Sequence, residues 1–186
     1  MKNLTKAIAT VTIAVAGLFA SNSVKAQSAT PANAWRFGIG VEAGAPTGNL
    51  HNVSNVMLGG TARLQYGVNQ NVALMLTSGY YNNFGKKVAS GISDIKYPSV
   101  GIVPVKAGIK GYIGDGFYLS GEVGAGFETK DVYARADGSK DTKLILAPGI
   151  GYSWTNVDFG VRYENFSGQN NNYGIVAARI AYGFKL

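Results

Sequence analysis

Eight stretches of the chain alternate an apolar residue with a polar residue or a glycine. The pattern is clearest between residues 174 and 186, where Val176, Ala178, Ile180, Tyr182, Phe184 and Leu186 share one face and Arg179, Gly183 and Lys185 the other. A period of two describes a strand with one apolar and one polar side. The strands predicted are 35–45, 56–67, 71–81, 99–113, 117–128, 143–153, 157–165 and 173–186. Their lengths suit tilted membrane-crossing strands, which need about 9–11 residues. The connectors 68–70, 114–116 and 154–156 are tight turns rich in Gly and Asn, which tolerate positive φ. The connectors 46–55, 82–98, 129–142 and 166–172 are longer. Long and short connectors in alternation predict an all-β, eight-stranded antiparallel up-and-down transmembrane β-barrel, with brief periplasmic turns, longer external loops and both termini in the periplasm.

Alternation alone does not say which face is outside, because a soluble barrel turns its apolar face inward around a ligand. Two further patterns favour lipid outside. The polar face is rich in glycine: Gly38, Gly40, Gly44, Gly59, Gly79, Gly108, Gly124, Gly126, Gly149, Gly151 and Gly160. Glycine weakens a solvated strand, whereas a tight polar lumen needs small residues beside long ones. Gly108, Gly124, Gly126 and Gly160 are expected to leave room for long side chains to fold over. The aromatics form two belts. Trp35, Tyr66, Phe117, Tyr152, Trp154, Phe159, Tyr182 and Phe184 lie near the short-turn ends, and Tyr80, Phe127 and Tyr163 near the long-loop ends. Girdles at two membrane interfaces have this form, whereas a soluble core concentrates aromatics at mid-strand. Between the belts, the positions expected to face lipid include Phe37, Ile39, Val41, Leu64, Leu74, Leu76, Val105, Ile109, Leu119, Val123, Leu144, Leu146, Val161 and Ile180.

The N-terminus reads as an export signal. Lys2 and Lys6 flank its start, an apolar stretch covers 7–20, and Val24-Lys25-Ala26 places small residues where a signal peptidase reads. That stretch falls short of the roughly 20 residues a spanning helix needs. Cleavage before Gln27 is expected, with residues 27–34 a short flexible leader and 35–186 the barrel domain. Cleavage removes Lys2, Lys6 and Lys25 and no acid, so the net charge falls from +7 to +4. With no basic block, nucleic acid is not an expected partner. Cysteine is absent; a closed barrel needs no disulfides, because its wall has no open edge. Pro104 and Pro148 fall inside strands, where each is expected to mark a bulge.

The segment Ala178-Arg179-Ile180-Ala181-Tyr182-Gly183-Phe184-Lys185-Leu186 resembles the C-terminal strand by which the barrel-assembly machinery recognises outer-membrane proteins, although it ends on Leu rather than Phe. The stretch from Val103 through Lys106, Lys110 and Gly114-Asp115-Gly116 to Tyr118 resembles the central hairpin of the porin-family, OmpA/OmpX-like small barrels. The resemblance extends over nearly all of 35–186. It implies a bacterial outer-membrane location, lipid and lipopolysaccharide around the barrel, and passage through the assembly machinery. It implies little about activity. No periplasmic domain is expected after Leu186, nor the peptidoglycan binding that goes with one.

The polar face collects charges at mid-strand: Glu42, Arg63, Lys106, Lys110, Glu122, Glu128, Asp158, Arg162, Glu164 and Arg179. An eight-stranded barrel has an interior just wide enough for side chains, and charges buried there must pair. The expectation is a packed plug; the alternative is a narrow pore whose pairs exchange partners. His51, the one histidine, falls in the first long connector, and Ser93 and Asp94 in the second. They resemble the catalytic layout of the lipid A palmitoyltransferase barrel, in which a histidine acts as base. Here the order is Ser-Asp rather than Asp-Ser, and that family's amphipathic N-terminal helix is missing. No catalytic residue is therefore assigned, and an outer-leaflet lipid-modifying enzyme stands as a second alternative.

One histidine with Asp131, Asp137 and Asp141 makes no spaced metal-ligand set, and no cofactor is expected. Residues 137–140, Asp-Gly-Ser-Lys, read as a turn. Lys86, Lys87 and Lys96 make the second long connector basic. The function expected is a non-enzymatic, monomeric barrel with a structural or adhesin-like role, its external loops open to a protein ligand.

Overall fold

The computed structural model describes residues 30–90, 93–96, 99–113, 115–129, 141–168 and 172–186. The expected signal peptide and residues 27–29 of the expected leader lie outside these. The strands are β1 Trp35–Gly48, β2 Ser54–Gly67, β3 Val72–Gly85, β4 Lys87–Ser90, β5 Ser93–Lys96, β6 Val100–Tyr112, β7 Phe117–Glu128, β8 Thr142–Ser153, β9 Val157–Ser167 and β10 Asn172–Lys185. Eight of them close in the order β1-β10-β9-β8-β7-β6-β3-β2, each antiparallel to both neighbours. β1 and β10 seal the wall over a continuous ladder from Arg36↔Lys185 to Gly48↔Tyr173, so the barrel has no open edge.

The eight barrel strands lie where the alternation predicts them, but several run further toward the long-loop end. Continued pairing there, such as Thr47↔Gly174 and Asn172↔Ser167, shortens two connectors expected to be long. The first becomes the 3₁₀ turn Asn49–Asn52, from which Leu50 buries its side chain in the barrel. The fourth shrinks to 168–171. Long connectors remain at 86–99 and 129–141 only, and the first carries the unexpected hairpin β4–β5.

Within the expected leader, residues 30–34 fold against the short-turn end. The Asn33 amide donates to the Gly67 carbonyl at 2.8 Å, the Gly67 amide donates to the Ala34 carbonyl at 3.0 Å, and Thr30 is buried.

Pro104 and Pro148 do not mark bulges. Each falls in a gap in one ladder, β3–β6 and β8–β9 respectively, and the register on either side of the gap is unchanged. The missing N–H interrupts pairing on one side without inserting a residue. Among the described residues, the one register shift lies elsewhere, between Ser54 and Val56.

The inward glycines divide by what they face. At Gly79, Gly108 and Gly124 an added Cβ would lie 2.1 Å from the Gly60 carbonyl, 2.4 Å from that of Gly121 and 2.0 Å from that of Val105. Only glycine lets neighbouring backbones approach so closely as the sheet coils into a small barrel. At Gly160 the close neighbour is a long side chain, as expected: the Tyr118 hydroxyl, at 2.6 Å from such a Cβ; at Gly108 the Glu122 side chain also lies close, its Cγ at 2.7 Å. Gly126 instead faces Ile102, Ile145 and Phe166.

Candidate functional site

Outward positions are apolar and exposed, among them Ile39, Val41, Leu74, Leu76, Val105, Leu119, Val123, Leu144, Val161 and Ile180. Phe37, Leu64, Ile109 and Leu146 are half-buried on the same wall. The short-turn belt forms contacting pairs: Trp35–Tyr66 with ring centroids 4.9 Å apart, Phe117–Tyr152 at 4.8 Å, Tyr152–Trp154 at 4.7 Å and Tyr182–Phe184 at 5.0 Å. Tyr80, Phe127 and Tyr163 are exposed nearer the long-loop end, joined by Phe84, which the sequence reading omitted.

The structure places all ten predicted lumen charges inside the barrel, each no more than 6% exposed. Strand alternation puts them there: Asp158, Arg162 and Glu164 recur at even spacing on β9, as do Lys106 and Lys110 on β6. Glu42 of β1 accepts from the Thr61 hydroxyl at 2.8 Å, pairs directly with Arg162 Nη2 and lies 3.5 Å from Arg179 Nε. Glu164 receives Arg162 Nε at 2.6 Å and the Lys106 ammonium, with the Tyr81 hydroxyl at 3.2 Å. Asp158 pairs with Lys110 and accepts from the Tyr118 hydroxyl at 3.0 Å and from the Ser153 hydroxyl. Arg63 Nη2 lies 2.8 Å from Glu122, and its Nε donates to the Thr77 hydroxyl at 2.9 Å. The Lys110 ammonium also sits 3.8 Å from the centre of the Tyr118 ring, a cation–π contact.

Nine of the ten thus share one mid-barrel layer, and Glu128 stands apart at the long-loop end, accepting from the Tyr173 hydroxyl at 3.0 Å. Removing one partner of a buried pair leaves an uncompensated charge, so these contacts fix one another. A cavity of about 10 Å³ remains in this layer, room for about one water.

Sequence reasoning missed three parts of the interior. Tyr81, Tyr118, Thr61, Thr77 and Ser153 complete the polar layer, yet as neutral residues they gave no charge signal. Arg36 and Lys143 are buried as well, the latter 2.9 Å from Asp141; Arg36 shares the inward parity of Glu42 on β1, and Lys143 that of the predicted inward glycines Gly149 and Gly151 on β8. The third is an apolar layer above the charges, where Leu50, Met57, Ile102, Ile145, Phe166 and Ile175 pack with Tyr173. Phe166 stacks on Tyr173 with ring centroids 4.9 Å apart.

His51 is exposed, and its carbonyl accepts from the Lys86 ammonium. Ser93 and Asp94 lie on β5, opposite Ser90 and Ala89. Asp131, Asp137 and Lys140 lie outside the described residues. Among the described residues no three His, Cys, Asp or Glu side chains gather as a metal site.

No protein-family model matches the chain, and no curated protein matches it in sequence. Solved structures do share its fold. The crystal structure of Ail, the attachment invasion locus protein of Yersinia pestis, is 16% identical with a TM-score of 0.56; the match covers 82% of this chain and 99% of that one. The same protein in complex with the heparin analogue sucrose octasulfate matches at 18% identity and a TM-score of 0.55, with the same coverage. The outer membrane protein OprG from Pseudomonas aeruginosa is 11% identical, with a TM-score of 0.51 and coverage of 88% and 99%. The fold is that of small eight-stranded outer-membrane barrels.

Proposed function

We propose, from this shared fold, that the chain is a monomeric integral protein of a bacterial outer membrane, exported by residues 1–26. In this reading the lumen is closed by its own side chains and the long-loop end is the working surface. The role is structural or one of surface attachment, without catalysis. The observation that carries it is the interior itself: a mid-barrel layer of interlocked ion pairs lies beneath an apolar layer, with a residual cavity of about 10 Å³ between the charges. Such packing supports a closed lumen over a pore. The outward apolar wall and its aromatic belts support the membrane location. An attachment role has support from the neighbour known as an attachment invasion locus protein, and the basic residues Lys86, Lys87 and Lys96 at the long-loop end would suit anionic lipopolysaccharide groups or a surface partner.

Cell fractionation tests this. The mature protein, starting at Gln27 by mass spectrometry, should be found in outer membranes, and boiled and unboiled samples should migrate differently on gels. Release into buffer by osmotic shock would contradict the reading and point to a soluble ligand-binding barrel.

A further inference from the structure

Arg179 is held more loosely than the other mid-barrel cations. Its Nε donates to the neutral Thr61 hydroxyl at 2.9 Å, while its approaches to Glu42 and Asp158 are 3.5 Å and 3.8 Å. Its Nη2 is buried with no hydrogen-bond partner in a side chain only 3% exposed. Arg63, Lys106, Lys110 and Arg162 each have a carboxylate at 2.8 Å or closer. The charge count agrees. These five cations face four carboxylates, Glu42, Glu122, Asp158 and Glu164. Adding the buried Arg36 and Lys143 on one side, and Glu128 and the partly exposed Asp141 that pairs with Lys143 on the other, leaves the same surplus of one cation among these groups.

Arg179 shares the small cavity with two more guanidinium groups, those of Arg63 and Arg162, and with Ser120. A surplus charge inside a low-dielectric barrel calls for a counter-charge rather than a neutral filler. We infer that this cavity binds one monatomic anion, chloride in a saline medium, with Arg179 its principal ligand. Glu122 and Asp158 also border the cavity, but both are engaged, Glu122 Oε1 by Arg63 and Asp158 by Lys110, Ser153 and Tyr118. Glu122 Oε2 has no hydrogen-bond partner. A water between it and Arg179 Nη2 is therefore the competing occupant.

Bromide separates the two. Crystals of the refolded barrel grown with bromide in place of chloride should show one anomalous peak beside Arg179. In solution, at constant ionic strength, chloride at ten times its dissociation constant should shift the folding equilibrium about tenfold toward the folded state relative to gluconate. Arg179→Gln, which removes the surplus charge, should abolish that dependence; the bromide measurement on the unaltered chain stands even if this variant does not fold. Ordered density without anomalous signal, together with equal stability in chloride and gluconate, would overturn the anion site. That result would leave the closed-lumen reading intact, because a bound water blocks the cavity as an anion would.

Discussion

Glu42 on β1 and Arg162 on β9 form a direct ion pair although β10 lies between their strands. Arg162 also reaches Glu164 at 2.6 Å, so one guanidinium ties a carboxylate on its own strand to one two strands away. Replacing Arg162 with Ala leaves Glu42 with Thr61 and the more distant Arg179, and Glu164 with Lys106 and Tyr81. The expected loss is on the order of 3 kcal/mol, the lower end for breaking a buried pair. Denaturant unfolding of the refolded barrel measures it. Arg162→Ala combined with Glu42→Ala should cost less than the sum of the two single changes, since the second no longer strands a charge.

Tyr118 lies over Gly151 on its way to Asp158. A Cβ on Gly151 would sit 2.3 Å from both the Cζ and the hydroxyl oxygen of Tyr118, so Gly151→Ala should destabilise by about 1–3 kcal/mol through overpacking. Gly121, on the outer face, has nothing within 4 Å of such a Cβ, and Gly121→Ala should be tolerated in the same unfolding assay.

Lipid solvation makes a separate claim. Leu76 is 53% exposed on the outer wall, between Leu64 and Ala107 on the adjoining strands. Leu76→Arg should cost about 2–4 kcal/mol in a bilayer if the position lies near the midplane. A change within about 0.5 kcal/mol, as on a water-exposed surface, would count against the membrane reading.

The apolar layer should matter as much as the charged one. Phe166→Ala removes a fully buried ring from its stack on Tyr173 and should cost about 3–5 kcal/mol, read from the unfolding midpoint in detergent.

The strands and the parity of the ten charges were legible because a period of two assigns every residue to a face, and a charge at an inward position declares which face that is. The apolar inner layer was not legible for the same reason. In Leu144-Ile145-Leu146 and Ile175-Val176 both faces are apolar, and alternation has no contrast to report. Extending the parity of Glu164 two residues to Phe166, or of Arg179 back to Ala177 and Ile175, would have found it. Ion-pair partners were beyond reach. Arg162 meets Glu42 only because β10 closes the wall between their strands, a matter of long-range register rather than local pattern. Nor did local pattern show that pairing continues past the aromatic belt and shortens two connectors.

Planar-bilayer recording on the refolded, unaltered barrel tests the closed lumen most directly. Interlocked charges beneath an apolar layer predict conductance at baseline in the unaltered protein, rising, if at all, in Arg162→Ala. Discrete openings in the unaltered protein, with frequency or ion selectivity changed by Arg162→Ala more than its stability is, would contradict the plug and identify the charged layer as a gate.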